Sequence, residues 1–392
     1  EYAAGWISKQ MDDFATRPGD RFAITEEQKA TLRECLKYWE GRALDERVAS
    51  CIPKELDQVI GYGVVYNASY ASKSPGHLVP DYMGLLGTGF EALIARCQEK
   101  LQNLDIEKDD YVEKREFYMS CEEAMGAVIL YANRFANLAE TMAEKEPDGK
   151  RKKELLQIAS NCRNVPAKPA SSYWEALQFL YFVQLAIQME GNGLAISIGR
   201  MDQFLYPYYK ADEEKGLLTH ESALELMECL YLKLGEIDKI SSNESTAVNT
   251  GPAHGQTITI GGVRADGSDI TNEVSILVLE ADRRIALAQP DIAVRIHAGT
   301  SQRLIDEVTK NVKMGLNKVK IYNDELITRA VRGIGVKEED VYNFSFLGCS
   351  EPVIDGKTNS WGNSGHINLS KCLELALNDG SCMLTGVQMG PH

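Results

Sequence analysis

A run of helices followed by short strands alternating with helices predicts an α/β protein, a layer or barrel of strands wrapped in helices. Two observations carry this. Before about residue 240 the apolar residues recur at helical spacing behind capping motifs; after it, short alternating runs appear, each followed by a helical stretch. With 392 residues, 44% of them hydrophobic, the chain is also long and apolar enough for a large buried core.

Thr25-Glu26-Glu27-Gln28 reads as a capping box ahead of Leu32, Cys35, Leu36 and Trp39, spaced i, i+3, i+4, i+7. Asp81 reads as an N-cap for the helix at Met83. Ser120-Cys121-Glu122-Glu123 reads as a second box, opening a helix with Val128, Ala132, Phe135 and Ala139 along one side. Glu144 to Lys153, charged and containing Pro147 and Gly149, reads as a solvated loop. Ser172-Tyr173-Trp174-Glu175 is a third box; its helix, apolar almost all round to about Glu190, belongs in the centre of the molecule. Gly191-Asn192-Gly193 is expected to stop it. An amphipathic helix is expected over 224–234. Strands are expected at 257–260, 292–297, 319–322 and 343–347, with helices over 272–287 and 301–314 between them. No linker, repeat or low-complexity segment is visible.

The 57 acidic and 42 basic residues give a formal net charge of -15, which argues against nucleic acid or an anionic membrane as the main partner. No run of 18 uncharged apolar residues occurs, so no transmembrane helix is expected. The start, Glu1-Tyr2-Ala3-Ala4-Gly5-Trp6, carries neither a signal-peptide pattern nor an initiating Met, so a processed or partial chain is expected. The nine cysteines are scattered without a CxxC pair. That predicts neither a disulfide framework nor a zinc site, and places the chain in a reducing cytoplasm.

The segment Phe346-Leu347-Gly348-Cys349-Ser350-Glu351-Pro352 carries the chemistry. Pro352 pushes Glu351 towards extended geometry, and residues two apart in an extended segment point the same way. Cys349 and Glu351 are therefore expected to face one interior cavity at the tip of a finger. A nearby carboxylate raises a thiol pKa, which suits a sulfur acting uncharged beside a proton-moving base better than a thiolate nucleophile. A buried cysteine beside a surface glutamate stays open from spacing alone. So does a cysteine hydrolase pairing Cys349 with His254 or His366.

Gly348-Cys349-Ser350-Glu351-Pro352 resembles the thiyl-radical loop of the glycyl radical enzymes, the pyruvate formate-lyase-like superfamily, in its branch of dehydratases, C–N lyases and decarboxylases. Other segments agree in order: Gly76-His77-Leu78-Val79-Pro80-Asp81-Tyr82, residues 172–178, Glu190-Gly191-Asn192-Gly193, Ser197-Ile198-Gly199-Arg200-Met201-Asp202-Gln203, Ile260-Gly261-Gly262, Ile321-Tyr322-Asn323-Asp324, and residues 368–380. The resemblance implies a ten-stranded α/β barrel of two half-barrels, with the cysteine loop entering at its centre. It implies Cys349 as the hydrogen-atom relay and Glu351 as general base in cleaving a C–O, C–N or C–C bond of a small substrate. His77, Ser197, Asn363 and His366 are the implied substrate contacts. No bound cofactor or metal is implied. The radical resides on a C-terminal glycine, installed anaerobically by a radical S-adenosylmethionine activating enzyme, and the full-length form is implied to be a homodimer.

Two departures matter. No segment matches the family's C-terminal glycyl-radical loop, so the chain reads as a central fragment: one partial domain over 1–392, mainly helical to 240, with the barrel strands and cysteine loop over 241–392, half of the ten-stranded barrel. Asn363 stands where diol dehydratases of this branch carry an Asp, and an amide cannot take a proton from a hydroxyl. The alternatives are a formate C-acetyltransferase, disfavoured because Gly348 precedes Cys349 where that mechanism uses adjacent cysteines, and a non-catalytic fragment.

Overall fold

The computed structural model describes residues 4–67, 76–190, 194–248, 255–316, 318–358 and 365–390. Helices α1 (Ala4–Gln10), α2 (Glu26–Trp39), α3 (Leu44–Cys51) and α4 (Lys54–Gly61) lead to a short strand, β1 (Val65–Asn67). Next come α5 (Tyr82–Thr88), α6 (Phe90–Gln102), α7 (Tyr111–Lys145), α8 (Gly149–Asn164) and α9 (Tyr173–Glu190). They are followed by α10 (Met201–Glu214), α11 (His220–Gly235) and α12 (Asn243–Val248). Strands and helices then alternate: β2 (Thr257–Gly261), α13 (Glu273–Ile285), β3 (Asp291–Ile296), α14 (Gln302–Lys313), β4 (Val319–Asn323) and α15 (Asp324–Gly333). The chain continues with β5 (Phe344–Leu347), β6 (Glu351–Ile354), β7 (Gly365–Ile367) and α16 (Leu369–Leu377).

The first capping box forms as expected, Thr25 and Gln28 each accepting the other's backbone N–H. Asp81 caps α5 by accepting the Gly84 N–H. The second box opens nothing: α7 begins at Tyr111 and runs unbroken through Ser120. Glu, Lys and Arg at 113–116 are good helix formers, so the helix is established before the Ser-x-x-Glu pattern is reached. The charged segment at 144–153 is likewise mostly helix ends, with only 146–148 between α7 and α8 and Asp148 capping the latter. α9 is central as expected, with Tyr173, Phe179 and Leu180 wholly buried; residues 191–193 lie outside the described residues.

β2, β3 and β4 pair in parallel and in chain order, Thr257 opposite Asp291 and Ala293 opposite Lys320. Two more extended segments continue this layer: Gly199 bridges Ile258 in parallel, and Ile196 bridges Leu78 in parallel. Five parallel segments thus stand side by side with helices between successive ones, the half-barrel that the sequence led us to expect. Two of them, at Leu78 and 196–199, come from before residue 240.

Period-two alternation separates the faces of this layer. Ile258, Ile260, Ile292 and Val294 point outward into the main core with Leu277, Leu304 and Val308, each fully buried aliphatic side chain contributing roughly 2 kcal/mol. Thr257, Thr259, Asp291, Ala293, Arg295, Lys320 and Tyr322 share the opposite, inner face. Onto it packs the antiparallel β5–β6 hairpin. Phe346 donates its N–H to Thr259 Oγ1 at 2.9 Å and stacks on Tyr322 with centroids 3.7 Å apart. At the base of the hairpin the Arg295 guanidinium lies 3.6 Å from the Phe344 ring centre. It bonds Asp324 Oδ1 at 2.5 Å and the carbonyls of Tyr342 and Phe344 at 3.0 and 2.8 Å.

Candidate active site

Residues 348–350 are the turn of the hairpin, with Leu347 and Glu351 paired across it. Gly348 takes a positive φ of 52°, a conformation that penalises any residue with a Cβ. The expectation of an extended Cys349-Ser350-Glu351 segment is therefore corrected: Cys349 sits in a turn, and Glu351 begins a strand. What brings the carboxylate back over the turn is a hydrogen bond, Ser350 donating its N–H to Glu351 Oε2 at 2.9 Å. Cys349 is exposed in this chain. The five parallel segments flank the turn on one side and leave the thiol facing solvent.

The residues around the turn come from distant parts of the chain. His77 Nε2 stands 3.8 Å from Glu351 Oε1, and the His77 backbone, at φ 52°, donates its N–H to the Leu194 carbonyl at 2.7 Å. Burial pushes the His77 pKa below its ordinary value, with the Glu351 charge opposing. Ser197 lies under the turn and is wholly buried. Its hydroxyl donates to the Gly255 carbonyl at 2.7 Å and accepts the N–H groups of Gly348 and Thr257, both at 3.2 Å. One donor and two acceptor sites are then all engaged, so in this arrangement the Ser197 hydroxyl supports the loop.

His366 is exposed on β7, opposite Tyr66 of β1. Among the described residues no hydrogen bond or ion pair joins it to the cysteine turn. Asn363 and His254 lie outside the described residues. Among the described residues no group of three His, Cys, Asp or Glu side chains is placed to hold a metal, and no helix is long and apolar enough to cross a membrane.

Sequence reasoning missed the inner-face side chains that hold the turn. Thr257 Oγ1 and Lys320 Nζ both donate to the Gly348 carbonyl, at 3.0 and 3.2 Å. Tyr322 donates its hydroxyl to the Cys349 carbonyl at 3.0 Å. Lys320 is itself held by Asp291 Oδ2 at 2.7 Å. The Tyr322 phenol is pushed up to about 12, first by burial and then by the charges of Glu351 and Asp291 and by Cys349. The available signal was the alternation of polar residues along strands whose other face is aliphatic.

A parallel half-barrel carrying a hairpin whose turn presents Cys349 beside Glu351 is the architecture of glycyl radical enzymes. The sequence matches the family described as pyruvate formate lyase-like over residues 1–392, and the chain belongs to that family. It is 33% identical over 399 residues to the (2S)-3-sulfopropanediol dehydratase of Klebsiella oxytoca, covering 100% of this chain and 48% of that protein. It is 34% identical over 399 residues to the isethionate sulfite-lyase of Desulfovibrio desulfuricans, covering 99% and 48%. A solved structure concerned with 1,2-propanediol dehydration in Roseburia inulinivorans superposes with a TM-score of 0.92 at 32% identity, covering 100% of this chain and 49% of that one. The chain spans about half the length of the relatives it matches.

Proposed function

We propose that this chain is the cysteine-bearing half of a glycyl radical lyase or dehydratase acting on a small hydroxylated substrate. The observation that carries the reading is the thiol and carboxylate of Cys349 and Glu351 on one hairpin turn, held against the inner face of a parallel half-barrel. A backbone glycyl radical, on polypeptide beyond these residues and installed by a radical S-adenosylmethionine activating enzyme, would supply the unpaired electron. The fit to this chain is chemical: a thiol at the exposed tip of a fixed turn can give up a hydrogen atom to a radical brought to it, and no charged cofactor is needed to do so.

The Cys349 S–H loses its hydrogen atom, and the sulfur then takes one from a substrate carbon that bears a hydroxyl. Glu351 accepts the hydroxyl proton as the leaving group departs from the adjacent carbon and passes it to that group, so that a hydroxide leaves as water. The product radical recovers a hydrogen atom from Cys349, which leaves the sulfur a radical again until the hydrogen atom it first gave up is returned to it. His77, neutral at pH 7 and beside Glu351, orients the same hydroxyl. Asn363 and His366 are retained as candidate substrate contacts on sequence match alone, and a homodimer on the resemblance alone.

Two of the relatives are named for different losses, water in the sulfopropanediol dehydratase and sulfite in the isethionate sulfite-lyase. The test is anaerobic activation of the full-length protein followed by incubation with a vicinal diol and with a hydroxysulfonate. An aldehyde product that disappears in the Glu351→Gln protein supports the reading. Turnover unaffected by Glu351→Gln contradicts it.

A further inference from the structure

Both peptide carbonyls that flank the Cys349 α-carbon and its predecessor are taken by side chains of the inner face. The Gly348 carbonyl receives Thr257 Oγ1 and Lys320 Nζ, at 3.0 and 3.2 Å. The Cys349 carbonyl receives the Tyr322 hydroxyl at 3.0 Å. Behind these donors stand two supports: Asp291 Oδ2, 2.7 Å from Lys320 Nζ, and the Phe346 ring, stacked 3.7 Å from that of Tyr322. The donors sit on β2 and β4 and the carboxylate on β3, and the strand register puts all of them on one face.

We propose that Tyr322 and Lys320, supported by Thr257 and Asp291, form a clamp that fixes the peptide planes on either side of Cys349 and so sets where its sulfur sits. They are positioning residues for the thiol, and the inference rests on reading Cys349 as the hydrogen-atom relay. The physical ground is the freedom of a turn. A three-residue turn containing a glycine at positive φ can flip its peptides at little steric cost. Flipping the peptide after Gly348 breaks the bonds from Thr257 and Lys320, and flipping the one after Cys349 breaks the bond from Tyr322. The Lys320 contact is charge-assisted, with its own charge balanced by Asp291. Hydrogen-atom transfer needs the sulfur close to the reacting carbon, and a misplacement on the order of 1 Å costs about 100-fold in rate.

Tyr322→Phe removes one hydroxyl and preserves the ring stack; Lys320→Met removes the ammonium and keeps the chain length. Amide hydrogen exchange of residues 348–351, measured in the intact protein, reads the clamp without reference to catalysis. Either variant is expected to exchange about five- to tenfold faster there, the loss of one ordinary hydrogen bond, with the thermal midpoint unchanged. Ile321, on the outer face of the same strand and 51% exposed, provides the control: Ile321→Ala leaves exchange at 348–351 unaltered. In the activated full-length enzyme each clamp variant is expected to lower kcat about 10- to 100-fold at unchanged KM, because the bonds it loses go to the turn carbonyls. Unaltered exchange, or a raised KM with kcat intact, overturns the clamp. A Cys349→Ala enzyme that still turns over overturns the reading beneath it instead, and the exchange result separates the two failures.

Discussion

His77 and Glu351, 274 positions apart in the sequence, face each other over the cysteine turn with Nε2 and Oε1 3.8 Å apart. The separation is too long for a hydrogen bond and short enough for the charge to be felt. Burial lowers the His77 pKa and the Glu351 carboxylate raises it, burial being the larger effect. Removing the carboxylate charge by Glu351→Gln should therefore lower the His77 pKa further. A titration of the His77 ring by NMR checks this: a midpoint that stays put in the variant would mean that the two side chains do not share an environment.

Asp355 ties the end of the hairpin to the neighbouring segment, accepting the Arg200 N–H at 3.1 Å and the Ser345 hydroxyl. Desolvation pushes its pKa up from 3.8 to about 6, with the Ser345 and Arg200 hydrogen bonds and the Arg200 charge opposing. The folded protein thus holds a proton in this window that the unfolded chain releases. The stabilisation linked to Asp355 is complete below 3.8 and is lost as the pH rises through about 6. Asp355→Asn, uncharged throughout, should remove on the order of 2 kcal/mol of the stability decline between pH 4 and pH 7. Urea unfolding of both proteins at several pH values measures the difference; parallel curves would contradict it.

Arg295 is wholly buried. Its pKa is held down to about 9, first by burial and then by Arg200, with Asp324 opposing. Asp324→Ala strands a buried cation and should cost about 3–5 kcal/mol. Asp324→Asn keeps an acceptor and should cost less. Equilibrium unfolding in urea gives both values, and a loss below about 1 kcal/mol for the Ala variant would refute a buried pair.

Gly348→Ala is expected to disturb the site more than the fold. The added Cβ would lie 3.0 Å from the Ala195 Cβ and 3.2 Å from Glu351 Oε2, on a backbone at φ 52°. The conformational penalty is about 1 kcal/mol, and the displaced carboxylate should move away from His77. A modest fall in the thermal midpoint together with a changed His77 titration is the expected pair of results. A variant identical to wild type in both would show that the turn accommodates a side chain.

The later strands were legible because Thr257 to Gly261 and Asp291 to Ile296 each give four or more alternating residues between clear helices. The segments at Leu78 and 196–199 were missed because they bridge their neighbours through only one or two residues, below what periodicity detects. Cys349 and Glu351 stood out as a motif, whereas the hydrogen bonds by which Ser197 supports the loop depend on the folded arrangement. Tyr322 lay in a matching segment without a role of its own, and Lys320 carried no motif. Their part in the site depends on which strands become neighbours, and that register is a property of the folded layer. Asn363 and His254 lie outside the described residues, and their placement rests on sequence alone.

In the proposed reaction Cys349 relays a hydrogen atom between a radical store and the substrate. The most direct test is the Cys349→Ala protein in its full-length form, activated anaerobically and followed by electron paramagnetic resonance and product analysis in the same sample. The glycyl radical signal is expected to form as in wild type and product formation to vanish, because the store is intact and the relay is gone. Product formed by the Cys349→Ala protein at a wild-type rate would contradict it.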